Sequence, residues 1–172
     1  LKYKNICFIQ ISNITKIYLQ KLNFKVFSFG PEYLIYLEDY YVSWKNNSTK
    51  KSINWIEKNN VEFLEIKSCD KQFWLKFKKL QEKYRTKKQL VLKNHGFINR
   101  PLLKKEKDVR FFILKKDNSF INFIRCDPIY SNLIIKGYSI SHLIYDPEIK
   151  KNNTKGIIHK IAILIKKEKK TL

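Results

Sequence analysis

Gly96-Phe97-Ile98-Asn99-Arg100-Pro101, Asp108-Val109-Arg110-Phe111-Phe112, Asp127-Pro128-Ile129-Tyr130 and Gly137-Tyr138 follow one another in that order. Acids and arginines stand at the edges of apolar runs. Asp108 and Arg110 flank the start of Phe111 to Leu114, and Asp127-Pro128 closes Phe120 to Cys126, where proline lacks a donor and is expected to stop the ladder. Lys115-Lys116-Asp117-Asn118-Ser119 reads as the turn between these runs, and Leu133 to Ile140 pairs next across Tyr130-Ser131-Asn132. Successive antiparallel strands are therefore expected. A carboxylate ending a strand beside a turn can wall a site; equally, Asp127 can cap a turn and Arg110 can pair with a surface acid.

Working outward, Ile144-Tyr145-Asp146-Pro147 breaks the last strand, and after a polar loop Gly156 opens a helix carrying Ile157, Ile161, Leu164 and Ile165. Upstream, Phe73, Trp74, Phe77, Leu80 and Tyr84 recur at helical spacing from Asp70 to about Lys88, with lysines between them. That helix buries its aromatics in a core, or lays its basic face on anionic lipid or a phosphate backbone. Asn46 to Lys51 reads as a loop, Ile53 to Lys58 as a short helix, Val61 to Ile66 as a strand and Gln89 to Asn94 as a bridge. Near the beginning, a strand from Asn5 to Ile11 leads through the N-cap Ser12 into a helix with Ile14, Ile17, Tyr18 and Leu22, ended by Asn23. Strands at Phe24 to Ser28 and Tyr33 to Leu37, split by Gly30-Pro31, complete the reading.

Composition sets independent bounds. In 172 residues, 36 lysines and arginines face 15 acids, a formal net charge of +21. Such a field favours polyanions such as tRNA, other nucleic acid or an anionic membrane surface, although the joint excess of lysine, asparagine and isoleucine also fits drift in composition. An apolar fraction of 44% and an aromatic fraction of 15% exclude a disordered chain. Cys7, Cys69 and Cys126 are too scattered for a disulfide framework or a zinc site, so a reducing compartment and no metal are expected. No run reaches the roughly 18 apolar residues that a spanning helix needs, so any membrane contact is expected from the side. The sequence contains no methionine, which points to a piece of a longer product.

Across Ile6 to Leu172 the chain resembles the family that includes the C-terminal domain of phosphatidylglycerol lysyltransferases. The resemblance rests on Cys7-Phe8-Ile9-Gln10-Ile11-Ser12, Leu22-Asn23-Phe24 with Gly30 and Glu32, Phe97 to Pro101, Asp108 to Phe112, Asp127 to Tyr130, Gly137-Tyr138 and Gly156, in the family's order. It implies an α/β (α+β) architecture of the GNAT acyltransferase type, with a mainly antiparallel sheet and flanking helices. Residues 1–38 would close one repeat and residues 39–172 would form an incomplete second one. The family departs from this chain where an arginine usually follows the Gly-Tyr strand, here Ser141-His142-Leu143-Ile144, and where a further strand follows the last helix, here beyond Leu172.

The resemblance also implies an activity, namely aminoacyl transfer from tRNA, with no other cofactor, to phosphatidylglycerol or a related lipid at the inner face of a membrane. The glycine-rich pyrophosphate signature of acetyl coenzyme A enzymes is missing, and only Gly156 stands where it would be. Attack of a lipid hydroxyl on an ester carbonyl needs a proton acceptor and an oxyanion partner. Asp127 and Asp108 are the candidate carboxylates, Arg110 and Arg100 the phosphate or oxyanion contacts, Tyr130 and Tyr138 the positioning groups, and Gly156 and Glu32 further substrate contacts. Asp108, Arg110, Asp127 and Tyr130 are expected to converge near the N-terminus of the Gly156 helix. His95, His142 and His159 read as ordinary surface or core histidines. The alternative is a non-catalytic basic module that binds RNA or anionic lipid.

Overall fold

The computed structural model describes residues 13–26, 34–40, 47–87, 106–149 and 153–170. Glu32, Arg100, the expected strand at Asn5 to Ile11 and the Gln89 to Asn94 bridge lie outside them. The chain divides into two compact units, Leu1–Ile35 and Tyr36–Leu172.

In the first unit, α1 spans Asn13–Lys21. It ends as the sequence requires: Asn23 takes φ 62, and the amides of Phe24 and Asn23 bond back to the carbonyls of Leu19 and Gln20 at 3.0 Å. Asparagine tolerates the left-handed conformation that this closing motif needs. The strands expected on either side of Gly30-Pro31 are not seen in their described parts, residues 24–26 and 34–37. Leu34, Ile35 and Tyr36 are exposed, and so short an apolar run is not a strand without a neighbour to complete its ladder.

The second unit is a four-stranded antiparallel sheet of order β1-β2-β3-β4, formed by Glu62–Ile66, Arg110–Lys116, Ser119–Ser131 and Ile134–Tyr145. Helices α2 (Asn47–Lys58) and α4 (Thr154–Lys170) contribute Ile56, Ile157, Ile161 and Ile165 to one face, over Phe112, Leu114, Ile124 and Cys126. Helix α3 (Lys71–Lys87) covers the other face, with Phe73, Phe77 and Leu80 against Phe111, Ile113, Phe120 and Phe123. The period of two in the strands and the three-to-four spacing in α3 thus meet in a three-layer core. Asp70 caps α3 through a 2.7 Å bond from the Phe73 amide to Oδ1.

Two boundaries differ from expectation. The segment read as a loop up to Lys51 is helical from Asn47, because α2 is held along its length by α4: Ser52 and Ile56 are buried, and Lys155 Nζ reaches Ser48 Oγ at 2.7 Å. Strand β3 also does not stop at Asp127-Pro128, since Pro128 pairs with Tyr138 and the ladder continues to Ser131↔Ile134. β2 accompanies β3 only to Arg110↔Cys126, so beyond that point β3 has one paired edge among the described residues, and a proline without an N–H is tolerated on the other. Asp117-Asn118 and Asn132-Leu133 form the two hairpin tips, every one of these residues having positive φ.

Candidate functional site

Arg110, the first residue of β2, turns toward the α4 face. Its Nε and Nη2 donate to Glu65 Oε1 and Oε2 at 2.8 and 2.7 Å, and Nη1 and Nη2 donate to Glu168 Oε2 and Oε1 at 2.7 and 2.8 Å. The guanidinium lies over the rings of Phe112 and Tyr138, at 5.2 and 5.5 Å from their centroids. The hydrogen bonds it donates to Glu65, foremost, hold it in its charged form. A guanidinium paired bidentately with two carboxylates is a strong structural clamp and has little left to offer an oxyanion.

Asp127 lies on the opposite face. Its Oδ1 accepts from Arg125 Nε at 2.8 Å, and Arg125 Nη2 donates to Glu106 Oε2 at 3.2 Å. Arg125 is 0% exposed and stacks over Phe111 of the α3-side core. A fully buried guanidinium is stable only when paired, and Asp127, two residues along the same strand face, supplies a partner. Asp108 sits in the turn before β2 at φ 62 and accepts a 2.7 Å bond from the Tyr130 hydroxyl. That bond raises the phenol's pKa.

Gly156 is enclosed. Its amide donates to Ser52 Oγ at 3.0 Å, and an added Cβ would come within 2.5 Å of Ile56 Cδ1 and 2.7 Å of Ser52 Oγ. Absence of a side chain here serves the close approach of α2 and α4, and the amide of this expected substrate contact is taken by serine. The expected convergence of Asp108, Arg110, Asp127 and Tyr130 does not occur. Arg110 and Asp127 occupy opposite faces, and Glu168, near the C-terminal end of α4, places Arg110 far along that helix from Gly156. Asp108 and Tyr130 do meet, and Tyr138 meets Arg110. A hollow of about 310 Å³ lies beside α3, lined by Gln72, Leu75, Lys76, Lys79 and Asn118, and includes none of the expected site residues.

Arg125 escaped the sequence reading, although an arginine inside the apolar run from Phe120 to Cys126 demands a partner, and Asp127 at the next same-face position was the signal for it. Glu65, Glu106 and Glu168 carried no such signal, since their proximity depends on tertiary packing. Burial pushes the Cys126 thiol up to about 12, which leaves it inert as a nucleophile. Tyr40 meets His159, its hydroxyl 3.0 Å from Nδ1, and burial lowers the imidazole's pKa. Among the described residues no cluster of His, Cys, Asp or Glu could hold a metal ion, and no helix is long and apolar enough to cross a membrane.

No family model and no curated protein matches the chain. Solved structures do. L-PGS from Bacillus licheniformis aligns over 77% of this chain at 13% identity with a TM-score of 0.56. The C-terminal domain of a putative lysylphosphatidylglycerol synthetase from Agrobacterium fabrum aligns over the same share at 10% identity and 0.52. The fold is therefore shared with these proteins, in agreement with the family resemblance and with the α+β, acetyltransferase-like architecture it implied. The chain spans 41% of the length of each.

Proposed function

We propose that this chain belongs to an aminoacyl-tRNA-dependent transferase that modifies phosphatidylglycerol or a related anionic lipid, working peripherally at the inner surface of a membrane. The observation that carries this reading is the fold shared with L-PGS and with the lysylphosphatidylglycerol synthetase domain. The net charge of +21 suits both suspected partners, tRNA and anionic lipid. Residues 1–38 and 39–172 are then parts of two tandem repeats. Within the described residues, the Asp108–Tyr130 pair is the best remaining candidate for handling substrate, because it is exposed and combines a carboxylate with a phenol at 2.7 Å.

The test is transfer of radiolabelled amino acid from charged tRNA to phosphatidylglycerol vesicles, with and without the full-length protein that carries this chain, followed by lipid extraction. Labelled lipid above the protein-free control is expected, and its loss in Tyr130→Phe with retained fold supports the pair. No labelled lipid with any charged tRNA removes the reading. A second reading, a non-catalytic basic module for RNA or anionic lipid, is favoured by one observation: Arg110 and Asp127 are committed to ion pairs on opposite faces of the sheet.

A further inference from the structure

The β3–β4 hairpin outruns the rest of the sheet. β2 leaves β3 at Arg110↔Cys126, while β3 and β4 remain paired from Asp127↔Ser139 to Ser131↔Ile134. At about 3.3 Å per residue the overhang reaches roughly 17 Å. Its tip is Asn132 at φ 51 and Leu133 at φ 62, a two-residue loop of the mirror-image type whose second position favours glycine. The other hairpin of the same sheet fills its tip with Asp117 and Asn118, polar residues that tolerate this backbone.

Leu133 is 96% exposed, so its strained backbone gains no packing within the chain. Strain held at a place where it brings the fold nothing points to a role outside the fold. Ile134, Ile129 and Tyr130 beside it are 60%, 45% and 47% exposed, which makes the end of the hairpin an apolar point. No acid occurs within the hairpin from Pro128 to Tyr145, where Lys136 is exposed on β4; the Asp108 carboxylate, which accepts from the Tyr130 hydroxyl, sits at its base side and is outweighed by the net charge of the chain. A second copy of the chain would bring a charge of +21 against its like, whereas an anionic surface attracts it.

We infer that the β3–β4 hairpin tip, with Leu133 at its point, inserts into the boundary between headgroups and acyl chains of an anionic lipid surface. Leu133 and Ile134 enter the apolar layer, Tyr130 and then Ile129, further from the tip, lie at the headgroup boundary, and Lys136 faces lipid phosphate. The choice of lipid as occupant rests on the lipid-modifying reading above.

The test uses the whole chain with equimolar phosphatidylglycerol–phosphatidylcholine vesicles and with pure phosphatidylcholine vesicles. Leu133→Gly should raise the thermal midpoint, because glycine suits the backbone, yet weaken binding to the anionic vesicles by about tenfold. Leu133→Trp should gain fluorescence that brominated acyl chains quench beyond the wild-type signal. Wild-type affinity in Leu133→Gly, an unquenched added indole, or a wild-type chain that binds neither vesicle overturns the inference. So does self-association in the absence of lipid that Leu133→Gly abolishes, since a second copy would then be the occupant. Vesicle binding that survives Leu133→Gly removes only the hairpin's role and leaves the transferase reading intact. Leu133-dependent binding without any labelled lipid product removes the transferase reading and leaves the hairpin's role.

Discussion

Arg125 and Asp127 show how a carboxylate that looks catalytic in sequence can be bound to structure instead. Replacing Asp127 by asparagine takes a charged partner from a fully buried guanidinium, and Glu106 remains at 3.2 Å to compensate in part. Asp127→Asn is therefore expected to lose about 1–3 kcal/mol in urea unfolding. An unchanged unfolding midpoint would mean that the pair with Arg125 does not stabilise the fold. Gly156 gives a second test at the same scale. Gly156→Ala forces a methyl to within 3.3 Å of the Ser52 backbone carbon as well as against Ile56 Cδ1. Overpacking costs roughly 1–3 kcal/mol, from which up to ~1 kcal/mol of helix propensity is recovered. A net loss is expected, and Ile56→Val in the same chain should restore part of it. His159 supplies the pH dependence. Burial, and then Lys160, depress its pKa below the ordinary value, while Glu57 opposes the shift. The folded state thus binds the proton less readily than the unfolded one, so this contribution to stability is complete above the unfolded pKa near ~6.5 and is lost as pH falls toward the folded value. The pH slope of the unfolding midpoint across that window should flatten in His159→Gln, and an unaltered slope would exclude His159 as its source.

Among the elements, α3 was legible in detail because Phe73, Phe77 and Leu80 have the spacing of one buried stripe and Asp70 has the chemistry of a cap. The strands of the sheet were legible as apolar runs, whereas their ends were not. Where β3 ends depends on which neighbour accompanies it, and a proline that would interrupt a central strand is harmless once β2 has departed. The expected convergence of Arg110 and Asp127 did not occur for a related reason. Strand residues alternate between faces, so Arg110 and Asp127, facing opposite ways near the same end of the sheet, cannot meet however close they stand in the ladder. The start of α2 was missed because lysine-rich polar sequence reads as loop until a partner helix covers Ser52. The exposed side of α3 makes its own prediction. Lys78→Glu with Lys79→Glu lies off the buried stripe, so thermal stability should hold within about 0.5 kcal/mol. Binding to tRNA should weaken if α3 tracks a phosphate backbone, and unaltered tRNA affinity would remove that helix from the interface.

For the molecule as a whole, the question is whether a net charge of +21 is used or merely carried. Several of the lysines and arginines are engaged in intramolecular ion pairs, among them Lys83 with Asp146 and Glu148, Arg110 with Glu65 and Glu168, and Lys115 with Glu62. Acids total only 15, so the excess must face solvent or a polyanion. Exposed lysines are stable in water without any partner, which is why charge alone does not establish use. Counterion release distinguishes the two cases. If the chain neutralises several phosphates on tRNA or on an anionic bilayer, the logarithm of affinity falls linearly with the logarithm of salt concentration, and a loss of at least about tenfold is expected between about 50 and about 200 mM salt. Titration of labelled tRNA at several salt concentrations, with the same series on phosphatidylglycerol vesicles, reads both slopes. The hairpin adds a distinction between the surfaces, because insertion of apolar side chains is insensitive to screening. The vesicle slope should therefore be shallower than the tRNA slope, and Leu133→Gly should lower vesicle affinity at every salt concentration without altering the tRNA curve. Flat curves for both ligands would mean that the charge reflects composition and that the chain meets neither polyanion through its lysines.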